Sequence, residues 1–172
     1  SIVSPSSVAF GAGKIAELPS LLADLASPAA GLKTVLVMSD KGVAGTGLPA
    51  KAATAIAAAG YEPTVVDTVP PEPSDRDLDG IAASLGGGRA AAVVAIGGGS
   101  VMDAAKVISA LSETGWSTAE LAQRGVPRRG VPVVMVPTTA GTGSEATPNA
   151  IVLFPEKSLK VGIVSPHFIP DR

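Results

Sequence analysis

Four short apolar runs divide this chain: TVLVMS at 34–39, PTVVDTV at 63–69, AAVVAI at 91–96 and VPVVMV at 131–136. Each is rich in Val and bounded by turn residues, and in each the apolar positions are continuous rather than alternating. A strand with one wet face alternates, whereas a strand covered on both faces does not, which is the habit of parallel sheets flanked by helices. Helical patterns lie between the runs. KIAELPSLLADLA (14–26) sets Ile15, Leu18, Leu21, Leu22 and Leu25 at helical spacing, LPAKAATAIAAAG (48–60) is Ala-rich and stops at Gly60, and SDRDLDGIAASLG (74–86) opens with Ser74, Asp75 and Asp77. These suit a C′ glycine and an acidic, capped helix start. Strands alternating with helices predict a doubly wound, mainly parallel α/β sheet of the Rossmann-like kind. The tail, NAIVLFPEKSLKVGIVS (149–165), reads as a C-terminal β-hairpin around Pro-Glu-Lys-Ser. At 172 residues and 46% hydrophobic, with no internal repeat, residues 1–172 are expected to form a single domain with a packed core.

Two glycine triplets flank the third run, in LGGGRAAAVVAIGGGSVMDAAK (85–106). Gly86-Gly87-Gly88 follows a helix and precedes a strand, which is the place of a helix stop and turn. Gly97-Gly98-Gly99 follows a strand and precedes good helix formers. In a parallel sheet that position is the carboxyl edge, where backbone N–H groups and the helix dipole favour a phosphate. The spacing fits another reading equally: Ser100 and Asp103 form S-x-x-D, a capping box, and Asp103 with Lys106 an ordinary i, i+3 surface pair. The motif is not a full G-x-G-x-x-G, because Met102 stands at the third glycine, and it is not a Walker A loop. A second loop, PTTAGTGSE (137–145), follows the fourth run with Thr138, Thr139, Thr142 and Ser144 as donors and Gly141 and Gly143 as close-approach points. Two such loops at one sheet edge could embrace a dinucleotide. At a third strand end, in VMSDKG, Asp40 occupies the place where such folds set an acid against ribose hydroxyls, although taken alone it better suits a turn or helix cap.

Lys and Arg total 13 and Asp and Glu 15, a net charge of −2, with no run of like charges. Neither a nucleic-acid partner nor a membrane surface is indicated. The absence of Cys excludes thiolate chemistry from this chain, and its single His, His167, cannot build a His-rich metal centre. The apolar runs are too short to span a bilayer and SIVSPSSVAF lacks a signal peptide's pattern, so a cytoplasmic location is expected. SSVAFGAG, apolar and punctuated by Gly, is a candidate edge strand for pairing with a second copy.

GGGSVMDAAK together with PTTAGTGSE resembles the iron-containing, or group III metal-dependent, alcohol dehydrogenases. The likeness extends to FGAGKIAELP, VLVMSDKGV, PEPS and KSLKVGIVSPHFIPD, and so covers essentially the whole chain. It implies the N-terminal NAD-binding domain of a two-domain enzyme that moves hydride between an alcohol or aldehyde and a nicotinamide cofactor. By this resemblance Gly98, Gly99 and Ser100 hold the pyrophosphate, Asp40 contacts the adenosine ribose and favours NAD over NADP, and Asp103 lies toward the nicotinamide. Thr138, Thr139, Thr142 and Lys160 complete the groove, with Asn149 a further candidate. A homodimer formed through this domain is also implied.

The resemblance carries one departure: the family often has Asn where this chain has Glu72. It also implies a divalent metal, iron or zinc, held by one Asp and three His of a following helical domain that is expected to begin just after FIPDR. This chain is therefore expected to carry cofactor-binding but no catalytic or metal-binding residues, and to be inactive alone. Chemistry agrees, since carbonyl reduction needs an electrophile or positioned acid. The sole Tyr, Tyr61, lies after the Ala-rich helix with no Lys four residues on. The alternatives are a glycerol or sugar-phosphate dehydrogenase, a cyclase like dehydroquinate synthase, or a non-catalytic dinucleotide-binding module. PTTAGTGSE favours the alcohol dehydrogenase branch.

Overall fold

The computed structural model describes residues 4–25 and 31–172. Strand β1 (Thr34–Ser39) leads through α2 (Lys41–Ala44) and α3 (Leu48–Ala58) to β2 (Glu62–Val66). Then come α4 (Asp75–Ala83), β3 (Ala92–Gly97), α5 (Gly99–Thr114), α6 (Thr118–Arg124) and β4 (Val133–Pro137). A single-turn 3-10 helix, Lys14–Glu17, runs into α1 (Leu18–Leu25) ahead of β1. Ala26, the last residue of the first expected helix, lies outside the described residues. The second apolar run pairs only as far as Val66, and the helix α6 was not marked by any motif.

The four strands form one parallel sheet in the order β2-β1-β3-β4. Residues 35–39 and 92–97 are buried without a break, as continuous apolar runs require. Alternate side chains face opposite layers. Val35, Val37, Ala92, Val94, Ile96 and Val134 pack with Leu18, Leu22, Ala52 and Ile56 from α1 and α3. Leu36, Met38, Val93, Ala95, Val133 and Met135 pack with Leu78, Met102, Ile108 and Leu121 from α4, α5 and α6. Helices on both faces make the sheet doubly wound.

The tail forms the expected antiparallel hairpin, β5 (Asn149–Phe154) and β6 (Leu159–Val164). It packs on the α5 side, with Ala150, Val152, Phe154 and Ile163 in that core. Leu153 N–H donates to the Pro73 carbonyl at 3.1 Å and ties the hairpin to the entrance of α4. The N-terminal segment 6–13 does not form the expected edge strand; among the described residues it has no ladder partner. It runs beside an apolar trough of about 830 Å³ lined by Val8, Phe10, Leu18, Leu21, Val134 and Val136.

The first glycine triplet is a turn. Past the end of α4, Gly86 and Gly87 have φ of 62° and 76°, a left-handed backbone that glycine takes without a Cβ penalty, and open space surrounds both. Tight packing accounts for a further glycine, Gly130. A Cβ on Gly130 would lie 2.5 Å from the Ser109 carbonyl carbon and oxygen, because the strand entrance crosses the α5 backbone there.

Candidate dinucleotide-binding cleft

In the order β2-β1-β3-β4 the chain winds one way from β1 to β2 and the other way from β3 to β4. The switch lies between β1 and β3, and ligands of such sheets bind outside the carboxyl ends at that point. A cleft of about 530 Å³ opens there, lined by Asp40 to Gly42 after β1, Thr68 to Pro71 after β2, Gly98 to Val101 after β3, and Thr139 after β4.

The α5 N-terminus forms one wall. Gly98 is the N-cap in an extended conformation and no side chain caps this helix. Its first backbone bond runs from Met102 N–H to the Gly98 carbonyl at 3.0 Å. The N–H groups of Gly99, Ser100 and Val101 therefore precede the helical ladder, at the positive end of the dipole. The capping-box reading of Ser100 and Asp103 does not describe this helix. Capping boxes do close α4, through Ser74 and Asp77, and α6, through Ser117 and Glu120.

The three glycines of the second triplet serve different purposes. A Cβ on Gly97 would fall 2.6 Å from Val101 Cγ2, inside the core. On Gly98 it would sit 3.1 Å from Thr139 Oγ1, and on Gly99 2.8 Å from Thr142 Cγ2. The second and third glycines thus let the hydroxyl-rich loop close over the helix start. Thr138 N–H adds a bond to the Gly97 carbonyl at 3.0 Å. Thr138 and Thr142 hold the two loops together, while Thr139 also borders the cleft.

On the opposite wall the Asp40 carboxylate caps α2, accepting from Val43 N–H at 2.9 Å. That bond fixes an anionic group at the end of β1, half-buried, with Lys41 and Gly42 beside it. Asp40, Gly98, Gly99, Ser100 and Thr139 are thus brought to one cleft. Lys41 and the Thr68–Pro71 segment line it too, although none of them is among the expected cofactor-binding residues.

None of Asp103, Asn149 and Lys160 is among the residues that line this cleft. Asp103 is not half of a surface pair: it is 8% exposed and accepts from Ile151 N–H at 3.0 Å through Oδ2. Lys106 is 1% exposed, and its ammonium donates to the Thr147 carbonyl at 3.0 Å, Thr147 Oγ1 at 3.2 Å and the Asn149 carbonyl at 2.8 Å. It lies 3.6 Å from Asp103 Oδ1. Burial pushes the Lys106 pKa down, and the neighbouring Asp103 partly opposes that. The pair clamps the hairpin and the end of the hydroxyl loop onto α5, and Asn149 enters through its carbonyl. Lys160, on β6, pairs with Glu72 at the lip of the cleft. His167 sits exposed on a 3-10 turn, Pro166–Phe168, where its N–H donates to Ser165 Oγ.

A parallel sheet with a cleft at its switch point and an open helix N-terminus against glycines defines a doubly wound, Rossmann-like α/β domain. More narrowly, the chain belongs to the iron-containing alcohol dehydrogenase family, whose profile matches residues 5–172. The chain is 32% identical over 145 residues to a 4-hydroxybutyrate dehydrogenase of Cupriavidus necator, covering 81% of this chain and 37% of the relative. Over 169 residues it is 30% identical to an NAD-dependent methanol dehydrogenase of Bacillus methanolicus, covering 98% and 43%. It superimposes with a TM-score of 0.82 on a sulfoacetaldehyde reductase from Bifidobacterium kashiwanohense in complex with NAD+, at 29% identity, covering 99% of this chain and 44% of that one. The chain spans about two fifths of the length of the relatives it matches.

Proposed function

We propose that the cleft binds NAD(H) and that residues 1–172 are the N-terminal cofactor-binding domain of a metal-dependent alcohol dehydrogenase acting on a small alcohol or aldehyde. The observation that carries this reading is the uncapped α5 N-terminus opening, through Gly98 and Gly99, into a cleft of about 530 Å³ at the β1/β3 switch point. When bound, the nicotinamide supplies or takes up the hydride. The residues of this chain bind and orient. The N–H groups of Gly99 and Ser100 donate to the pyrophosphate, and the dipole of α5 offsets its charge. Asp40 accepts from the adenosine ribose hydroxyls and opposes a 2′-phosphate by like charge. Thr139 closes the cleft from the β4 side. Asp103, Lys106 and Asn149 position the loops rather than touch the ligand.

The divalent metal that family membership implies finds no ligand set among the described residues. Among the described residues no three His, Cys, Asp or Glu side chains are gathered as ligands, so no step is assigned to a metal or to a catalytic residue here. We also propose a homodimer that covers the N-terminal segment, supported by the exposure of Val8 (78%) and Phe10 (94%). Calorimetric titration with NAD and NADP tests the cofactor reading. NAD is expected to bind more tightly, with the difference narrowed or reversed in Asp40→Gly. Equal affinities in the unmutated protein refute the role of Asp40.

A further inference from the structure

Glu72 is the residue at which this chain departs from the family's usual Asn, and its backbone is unusual. Its φ is 53°, a left-handed conformation that a non-glycine residue rarely takes and that Asn tolerates several-fold better. It stands between Pro71 and Pro73, and the residue before a proline is restricted further. The surroundings hold it there. Its N–H donates to Ser100 Oγ at 3.2 Å, and the Pro73 carbonyl accepts from Leu153 of the hairpin at 3.1 Å. From this position the carboxylate reaches Lys160 Nζ on β6. Both side chains are more than half exposed, at 59% and 54%, and an exposed ion pair adds little to stability. Fold stability therefore does not explain a strained backbone bearing this carboxylate.

Position offers an explanation. Pro71 and Ser100 line the cleft, so the Glu72–Lys160 pair sits on its lip beside the α5 N-terminus. A lysine there would be drawn to a diphosphate, and Glu72 occupies that lysine instead. We propose that Glu72 is a counter-charge that holds the Lys160 ammonium off the cofactor's diphosphate and so weakens NAD binding, setting an affinity that a neutral residue at 72 would raise. This inference rests on the cofactor reading above.

Calorimetric titration of NAD into the protein and its Glu72→Gln, Lys160→Met and doubly substituted forms tests it, at low and at high salt. Glu72→Gln is expected to tighten binding about threefold or more at low salt, with the gain shrinking at high salt. In the Lys160→Met background the same change is expected to give a clearly smaller gain, because most of the gain comes from the released lysine. Weaker binding by Glu72→Gln overturns the proposal, since the carboxylate would then be a contact. An equal gain in both backgrounds also overturns it. A protein that binds no NAD overturns the cofactor reading and the counter-charge with it, whereas one that binds NAD without the expected gain overturns the counter-charge alone.

Discussion

Lys106→Met removes the ammonium that joins α5 to the hairpin while keeping most of the side-chain volume. The change takes away bonds to the Thr147 and Asn149 carbonyls and to Thr147 Oγ1. It also strips Asp103 of its counter-charge, and Asp103 Oδ1 is buried with no hydrogen-bond partner of its own. Breaking a buried pair from one side costs about 3–5 kcal/mol, chiefly through the charge left behind. Small domains have about 5–15 kcal/mol of total stability, so the variant is expected to remain folded with a much reduced margin. Urea unfolding followed by circular dichroism gives the difference. Adding Asp103→Asn to Lys106→Met removes the stranded charge while keeping an acceptor for Ile151 N–H, and is expected to recover about 1–2 kcal/mol. A loss below about 1 kcal/mol for Lys106→Met, within the range of an ordinary exposed pair, or a double variant weaker by the full sum, refutes the buried clamp.

The same lysine predicts a pH dependence. Burial lowers its folded pKa below the ordinary 10.5, so between those two values the unfolded chain binds more protons and stability rises with pH. Denaturant melts across that interval are expected to show the rise in the unmutated protein and a smaller one in Lys106→Met. The glycine triplets separate by assay. Gly98→Ala and Gly99→Ala press a methyl group on Thr139 and Thr142 and are expected to weaken NAD binding about tenfold or more while the fold survives. Gly87→Ala, with φ of 76° and open space around it, is expected to cost about 1 kcal/mol in a thermal melt and to leave NAD affinity near normal. Gly130→Ala drives a Cβ onto the Ser109 backbone, which cannot rotate away, and is expected to lower stability by about 1–3 kcal/mol in the same melts.

The sheet was legible because its strands are buried on both faces. TVLVMS and AAVVAI carry no alternation to mislead, and β1 occupies the residues its run marked. Chain punctuation was legible where one residue type suffices, as at Ser74 with Asp77 and at Gly86 and Gly87. The cleft was only half legible. Asp40, Gly98, Gly99 and Ser100 sit at strand ends that local sequence marks. Thr68–Pro71 line it because β2 lies beside β1 in the sheet order, which the run PTVVDTV does not record. Asp103 and Lys106 show the limit most clearly. Their i, i+3 spacing is the same for a solvated pair and for a buried clamp, and only the hairpin folding back from residue 149 onward decides between them. Gly130 is the same case for a backbone crossing: its partner, Ser109, lies on a helix already passed.

In the proposed function the β1/β3 cleft holds a dinucleotide with its diphosphate on α5. A crystal structure of the protein with NAD tests it most directly. The account predicts diphosphate oxygens within hydrogen-bond distance of the Gly99 and Ser100 N–H groups, with the adenosine ribose against Asp40. A diphosphate seated anywhere else, including the apolar trough beside β4, or an adenosine end remote from Asp40, contradicts it.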